Sequence, residues 1–464
     1  MLVRRVLLVV ALLGLAALAA WFYFFHEPPP DARLACHYGA YRTDKADVIV
    51  VTPSAAPQSL RLVAMNGETW RLNPAPGQAN AVPSKFDLAR GWSDDKVAGA
   101  SVRFDACDAG TLSIEGLPLA TTAQREVFDV ADTTFQSHGL TLAGRLVMPR
   151  VEGAVPVAVL VHGSERDSAV LFNRLQYLLP ANGVGVFVYD KRGTGKSQGS
   201  YTQDFHLLSD DAAAALTKAR AMTGTLAREV GFEGGSQAGW IIPLAATKVK
   251  ADFALVGFGL AESPLAEDRE EVFDDLRSAG YGEDVIAQAR EITDATGRIM
   301  ASKFKDGFDD LDAVRAKYAD EPWYAKIKGE FTGDFLAYPN WLIAWLGPWF
   351  DVGTSWDYDP LPALRAYGGP HLWILAGRDS SAPSENTLRT LREIQRTRPN
   401  LDIVVFPTAD HGITEFEEKN GVRVDTRFSE GYFHLLADWI NFKDPKPRVP
   451  GPILHGGSVP SNAP

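Results

Sequence analysis

From about residue 126 onward the chain repeats one pattern: a short, wholly apolar run, a turn rich in Gly, Ser or Asp, and then a helical stretch. PVAVLV at 156–161 ends in His162-Gly163-Ser164, and VGVFVY at 184–189 ends in DKRGTGKS. EVGFE at 229–233 runs into Gly234-Gly235-Ser236-Gln237-Ala238-Gly239. A short strand that is apolar at every position is buried on both faces, which predicts a mostly parallel sheet covered by helices. Helices are expected over 206–222, from the turn after Ser236 to about 248, and over 430–442. Further strands are expected at 251–257, 372–376 and 403–406, so the fold class is α/β.

Composition narrows the function classes. The chain has 464 residues, 46% hydrophobic and 22% charged, enough for a sizeable core. Its formal net charge of −12 argues against a body built to hold phosphate backbones, so no nucleic-acid partner is expected. Two cysteines, Cys36 and Cys107, make no disulfide-rich scaffold and no zinc ribbon, and no metal site is expected.

The first 30 residues read as a membrane-directed segment. Arg4 and Arg5 precede an unbroken apolar run at residues 6–25, VLLVVALLGLAALAAWFYFF. Twenty helical residues reach ~30 Å, the thickness of a hydrocarbon core, whereas a cleaved signal carries only about 7–15 apolar residues. Cleavage after Ala17-Leu18-Ala19 is the alternative, but it would leave Trp21 to Phe25 at a new N-terminus, and those rings suit an interfacial belt better. Either way the flanking arginines place the body outside the cytoplasm, anchored or secreted, where a Cys36–Cys107 disulfide is expected rather than two unrelated buried thiols. Cys36 is no lipoprotein cysteine, because Arg33 stands where an apolar residue is wanted.

Residues 34–125 lack helical periodicity. Strand-like runs at 48–51, 60–63, 69–72, 101–104 and 111–114 are separated by Pro, Gly, Asn and Asp clusters, which predicts a small β-rich N-terminal domain with a structural role. The end of the chain, 444–464, is Pro/Gly-rich and expected to be mobile.

Ser236 carries the sharpest chemistry. A serine between a strand and a helix, with Gly two positions before it, fits a nucleophile elbow, although Ala238 stands where a second Gly is usual. The elbow points the Gln237 amide into the site near a helix N-terminus, where it can stabilise a developing oxyanion. Ser164, after the earlier strand, is assigned the second oxyanion-hole amide, and His162 a structural role. Asp379 closes the strand ending WILAGRD, and His411 follows the last strand in TADHG. All three side chains fall at C-terminal strand ends, where one crevice collects them.

These residues make the chain similar to the α/β-hydrolase superfamily over about 126–443. The VYDKRGTGKS block resembles the D-x-R-G-x-G-x-S stretch of its serine aminopeptidase-like and acyl-hydrolase branches. That stretch is structural there, so Asp190 and Arg192 take no catalytic role. GTGKS lacks the spacing of a phosphate-binding loop, and no cofactor is implied. The resemblance implies Ser236 as nucleophile, His411 as general base and then acid, and Asp379 as the carboxylate orienting His411. Asp410 is the rival acid. His206, His371 and His434 are read as surface or packing residues.

The insertion at 260–368 falls where this superfamily carries a helical cap. It opens with acidic helices around 267–276 and 283–300 and turns aromatic between Trp323 and Trp356. Trp341 and Trp345 are spaced to share a helix face, with Pro348 expected to interrupt the helix before Trp349. The rings either form the lid's core or line an apolar pocket, while the acidic helices could attract a substrate amine. The expected function is a serine hydrolase of carboxylic esters or related acyl bonds, acting on a small-molecule or peptide substrate. An aminopeptidase or acyl-peptidase-type amide hydrolase is the alternative within the class. A non-catalytic binding protein of the same fold is the alternative outside it. Oligomeric state is not legible.

Overall fold

A computed structural model describes residues 29–77 and 82–455. The apolar run at 6–25 lies outside them, as does the last part of the tail. Among the described residues no helix is long and apolar enough to cross a membrane. The described residues divide into two compact units, one of residues before 65 with those of 69–126, the other of Met65–Glu68 with the residues from Val127 onward.

The first unit is a closed eight-stranded antiparallel barrel. Its strands are β1 (Gly39–Thr43), β2 (Val48–Pro53), β3 (Leu60–Ala64), β4 (Thr69–Pro74), β5 (Lys85–Arg90), β6 (Lys96–Phe104), β7 (Thr111–Glu115) and β8 (Thr122–Arg125). Closure comes from β1 pairing with β8, Tyr41 opposite Arg125. Alternation fills the barrel: Leu112 and Ile114 of β7 are buried, with Ile49, Val51, Leu62, Leu72, Phe86 and Val102 in the same core, while Thr111 and Ser113 are less buried. Cys36, in the short 3-10 turn Ala32–His37, is disulfide-bonded to Cys107 in the loop between β6 and β7.

The second unit is built on a nine-stranded sheet. In chain order its strands are β9 (Asp129–Ser137), β10 (Leu140–Met148), β11 (Val155–Val161), β12 (Gly185–Tyr189), β13 (Ala227–Gly235), β14 (Ala254–Gly257), β15 (His371–Ala376), β16 (Leu401–Phe406) and β19 (Ile453–His455). Their order across the sheet is β19-β16-β15-β14-β13-β11-β12-β10-β9. The run from β12 to β16 is parallel, and β10, β9 and β19 are antiparallel edges. Every residue of β11, β12, β15 and β16 is buried, as continuous apolar runs require when helices cover both faces. The chain leaves β11 toward β12 on one side and returns to β13 on the other. That reversal opens a crevice at the C-terminal strand ends.

Between β14 and β15 the cap inserts helices Pro264–Ser278, Glu283–Ala301, Phe308–Tyr318, Thr332–Ala337 and Asn340–Phe350, followed by Leu361–Ala366. The cap has its own core, including Phe273, Ile292, Ile299, Leu311, Trp323, Phe331 and Phe335. Buried Asp268 ties it together by accepting from the Phe331 and Thr332 amides and the Thr332 hydroxyl.

Four expectations need correction. Pro348 does not end its helix, which continues to Phe350; the proline sits in the last turn, where only one intrahelical bond is lost. Trp341, Trp345 and Trp349 consequently repeat every four residues and are 68%, 63% and 83% exposed, so these rings form neither the lid's core nor a closed pocket. The tail beyond residue 443 is not wholly irregular, because β19 pairs antiparallel with β16 at the sheet edge. The strand at 403–406 is not the last, because a hairpin, β17 (Thr414–Lys419) with β18 (Val422–Phe428), also follows His411.

Candidate active site

β13 turns into helix Ala238–Lys248 through two residues, Ser236, whose φ is +55°, and Gln237. A left-handed conformation at a serine costs of order 1–3 kcal/mol and persists only where the surroundings hold it. Here the Ser236 amide donates to the Gly257 carbonyl at 2.9 Å, and the Ser236 carbonyl accepts from Gly239 at 2.8 Å. The flanking glycines are sterically required. A Cβ on Gly234 would lie 2.4 Å from the Val161 carbonyl oxygen, and one on Gly235 would lie 2.2 Å from the Phe258 ring. Ala238 fits without strain, fully buried, and the close approach of the helix to the loop after β14 is made one residue later, where Gly239 meets Gly259.

His411 enters from the loop after β16. Its Nε2 lies 3.1 Å from Ser236 Oγ, and its Nδ1 lies 3.0 and 3.1 Å from the two carboxylate oxygens of Asp379. The assignment that satisfies both contacts has Nδ1–H donating to Asp379 and Nε2 accepting from the serine hydroxyl. Asp379 is buried at the end of β15, and its Oδ1 also accepts from the amides of Ser381 and Ala382. Those donors fix the carboxylate before the imidazole reaches it. Phe258 meets the His411 ring edge-on, centroids 5.0 Å apart. Burial disfavours a charged His411. The hydrogen bond and charge of Asp379, helped by Asp410 and Glu165, outweigh burial, and the pKa is raised above its ordinary value.

The two amides assigned to the oxyanion hole come from neighbouring strands. Val161 of β11 pairs with Gly234 of β13, so the turns bearing Ser164 and Gln237 lie side by side. Neither amide donates a hydrogen bond among the described residues. Gln237 is buried at the start of its helix, whose N-terminal dipole favours negative charge.

Other singled-out residues lie elsewhere. The Asp410 carboxylate accepts from Ser380, the His411 backbone amide and Arg423, and makes no bond to the imidazole. The His162 side chain is largely buried and neither ring nitrogen is hydrogen-bonded, although Nδ1 lies 3.9 Å from a Glu165 carboxylate oxygen; burial, with Lys191 nearby, pushes its pKa down to about 3. His371 is buried in β15 and accepts from the Trp373 indole at 2.8 Å. His206 is exposed on helix Phe205–Thr223. In DKRGTGKS, Asp190 accepts from Ser168, Val170 and Lys196, and Arg192 pairs with buried Asp211, which ties the loop to the body. Two residues near the site escaped the sequence analysis. Phe258 carries no motif, and Lys191 reads as an ordinary loop cation.

Comparison with known proteins agrees with this architecture. Residues 158–421 match the family model described as the alpha/beta hydrolase family. Among solved structures, an esterase of Pyrococcus furiosus aligns at 15% identity over 61% of this chain and 84% of its own, with a TM-score of 0.40. An acylaminoacyl peptidase of Pyrococcus horikoshii aligns at 12% identity over 85% of this chain and 56% of its own, with a TM-score of 0.41. A thermophilic esterase from Thermogutta terrifontis aligns at 18% over 61% of this chain and 91% of its own, TM-score 0.34. No curated protein matches the chain. Scores this low carry no argument about activity, but the family match spans more than half of the residues: the chain belongs to the alpha/beta hydrolase family.

Proposed function

We propose that the protein is a serine hydrolase that cleaves a carboxylic ester or related acyl bond through an acyl-enzyme. One observation carries this reading: Ser236 and Asp379 occupy the two opposite nitrogens of the His411 imidazole. Ser236 Oγ attacks the acyl carbon while Nε2 takes its proton. The carbonyl π electrons move onto oxygen, and the Gln237 and Ser164 amides hold the resulting oxyanion. As the tetrahedral centre collapses, the bond to the leaving group breaks and the imidazolium returns its proton to that group. Water, deprotonated by the same nitrogen, then releases the acid and restores the serine. Asp379 holds the ring in the required tautomer and stabilises its cation.

The test is labelling of the full chain by a fluorophosphonate, followed by a panel of p-nitrophenyl esters and aminoacyl anilides. Stoichiometric labelling of the wild type and none of Ser236→Ala supports the reading. A variant that labels as well as the wild type sinks it.

A second reading, amide hydrolysis of a substrate with a free amine, is favoured by the first cap helix. Glu267 is held well above the ordinary carboxyl range by burial and by the charges of Glu330, Asp379 and Asp268. Glu271, one turn on, is raised for the same kinds of reason. An ammonium would relieve that repulsion, and preference for aminoacyl anilides over esters in the panel would select this reading. For location, Arg4, Arg5 and the apolar run at 6–25 support an anchored, extracytoplasmic body, and the Cys36–Cys107 bridge supports an oxidising compartment.

A further inference from the structure

Two side chains from the loop after β12 hold the backbone of the loop after β11. Lys191 Nζ donates to the Gly163 carbonyl at 2.6 Å, and the Tyr201 hydroxyl donates to the Ser164 carbonyl at 2.6 Å. Lys191 is 2% exposed. Its ammonium lies 4.7 Å from the centre of the Tyr201 ring, which also carries the Arg166 guanidinium at 4.4 Å, and Gln203 donates to the Tyr201 oxygen.

The Gly163 carbonyl belongs to the same peptide plane as the Ser164 N–H. In a trans peptide those two groups point in opposite directions. β11 stands between β12 and β13 in the sheet. A pull on the Gly163 carbonyl from the β12 side therefore turns the Ser164 N–H toward the end of β13, where Ser236 stands. That N–H has no partner among the described residues. A cation on the carbonyl also draws electron density from the amide and strengthens its N–H as a donor. Burying an ammonium is costly, and an apolar side chain would fill the same space without that cost.

We propose that Lys191 is a positioning residue of the oxyanion hole, holding the Gly163 carbonyl so that the Ser164 amide faces the acyl oxygen and donates more strongly. This rests on the serine-hydrolase reading and adds to it the group that aims one of the two amides. Tyr201 fixes the next carbonyl and limits how far the loop can turn.

The role separates from simple scaffolding in the kinetics. An oxyanion donor acts on charge that develops only in the transition state, so its misplacement lowers kcat and leaves KM nearly unchanged. In the full chain assayed with p-nitrophenyl butyrate, Lys191→Met should lower kcat by roughly 10- to 100-fold with KM within about threefold. The acidic limb of its pH profile should match the wild type, and Lys191→Arg, which keeps a cation and a donor, should recover much of the rate. A folded Lys191→Met with wild-type kcat, or with its loss confined to KM, would overturn the proposal.

Should Lys191→Met not fold, the alkaline limb tests the same idea. Glu165, Arg166 and His162 face Lys191 from the β11 loop and Tyr201 from its own. Burial lowers its pKa to about 8, with Glu165 opposing and Arg166 assisting. Wild-type kcat should fall as pH rises through about 8, while Lys191→Arg stays level. Identical alkaline limbs overturn the proposal. A wild type that neither labels with fluorophosphonate nor cleaves the ester sinks the serine-hydrolase reading along with this one. A labelled, active wild type beside an unaffected Lys191→Met sinks only the role given to the lysine.

Discussion

Asp410 precedes His411 in the chain, yet its carboxylate is engaged by Ser380, Arg423 and the His411 backbone amide, and the imidazole bonds instead to Asp379. Adjacent side chains in an extended segment diverge, whereas a carboxylate at the end of the neighbouring strand can face the ring. Asp379→Asn should therefore reduce kcat by up to ~10⁴ while the protein stays folded. Asp410→Asn should change kcat less than about tenfold. It should instead lower stability by about 1–3 kcal/mol, because it weakens charge-assisted bonds to Arg423 and Ser380. Kinetics and denaturant melts on the two purified variants check both halves, and the reverse ranking would move the orienting acid to Asp410.

The pH dependence follows from His411. In the proposed mechanism His411 is the base, and its raised pKa should place the acidic limb of kcat/KM above that of an ordinary histidine, with activity falling as pH drops. Asp379→Asn removes the strongest influence holding the pKa up and leaves burial, which pushes it down. The limb of the residual activity should then move to lower pH. The stability sign is the complement. A histidine whose folded pKa is raised adds stability below its unfolded pKa, and this is lost as pH rises through the folded value. The stability gap between wild type and Asp379→Asn should accordingly narrow as pH rises through the folded pKa of His411.

Much of the candidate site's geometry is legible in the sequence because its constraints are local. A Ser flanked by residues that must be small, an Asp and a His each closing an apolar run, and parallel strands that bring such ends together need no long-range information. The barrel was less legible. Gly39–Thr43, Lys85–Arg90 and Thr122–Arg125 are short and half polar, and nothing in them announces that the first pairs with the last. The β17–β18 hairpin is partly exposed and heavily charged, so it lacks an apolar signature. Periodicity put Trp341 and Trp345 on one face, but it cannot say whether that face looks inward. Lys191 was invisible because its chemistry depends on the partner carbonyl, which only the fold supplies.

Within the DKRGTGKS loop, the Arg192–Asp211 pair should prove structural. Arg192 donates to both carboxylate oxygens of Asp211, at 2.7 and 2.6 Å, and both residues are buried. Removing one partner leaves a buried charge without compensation, a loss of about 3–5 kcal/mol. Asp211→Asn should show that loss in urea unfolding. Its kcat per folded molecule and its acidic limb should stay close to the wild type. A large kcat loss at intact stability would instead bring this pair into the reaction.

The elbow makes a sharper demand. A Cβ at Gly235 would come 2.2 Å from the tip of the Phe258 ring, and Phe258 packs edge-on against His411. Phe258 already sits at φ +40°, so its backbone has little freedom to retreat. Gly235→Ala must then drive the ring toward the imidazole, and displacing a reacting group by about 1 Å can cost ~10² in rate. Gly234→Ala meets the Val161 carbonyl and the Ala238 methyl instead, with no ring among its nearest contacts. Both substitutions should destabilise by about 1–3 kcal/mol through overpacking. Only Gly235→Ala should carry a kcat loss of roughly 100-fold in the folded fraction. Adding Phe258→Leu should restore most of that rate by giving the new methyl room. Equal kcat losses in the two glycine variants, or no rescue by Phe258→Leu, would show that Phe258 does not transmit the clash to His411.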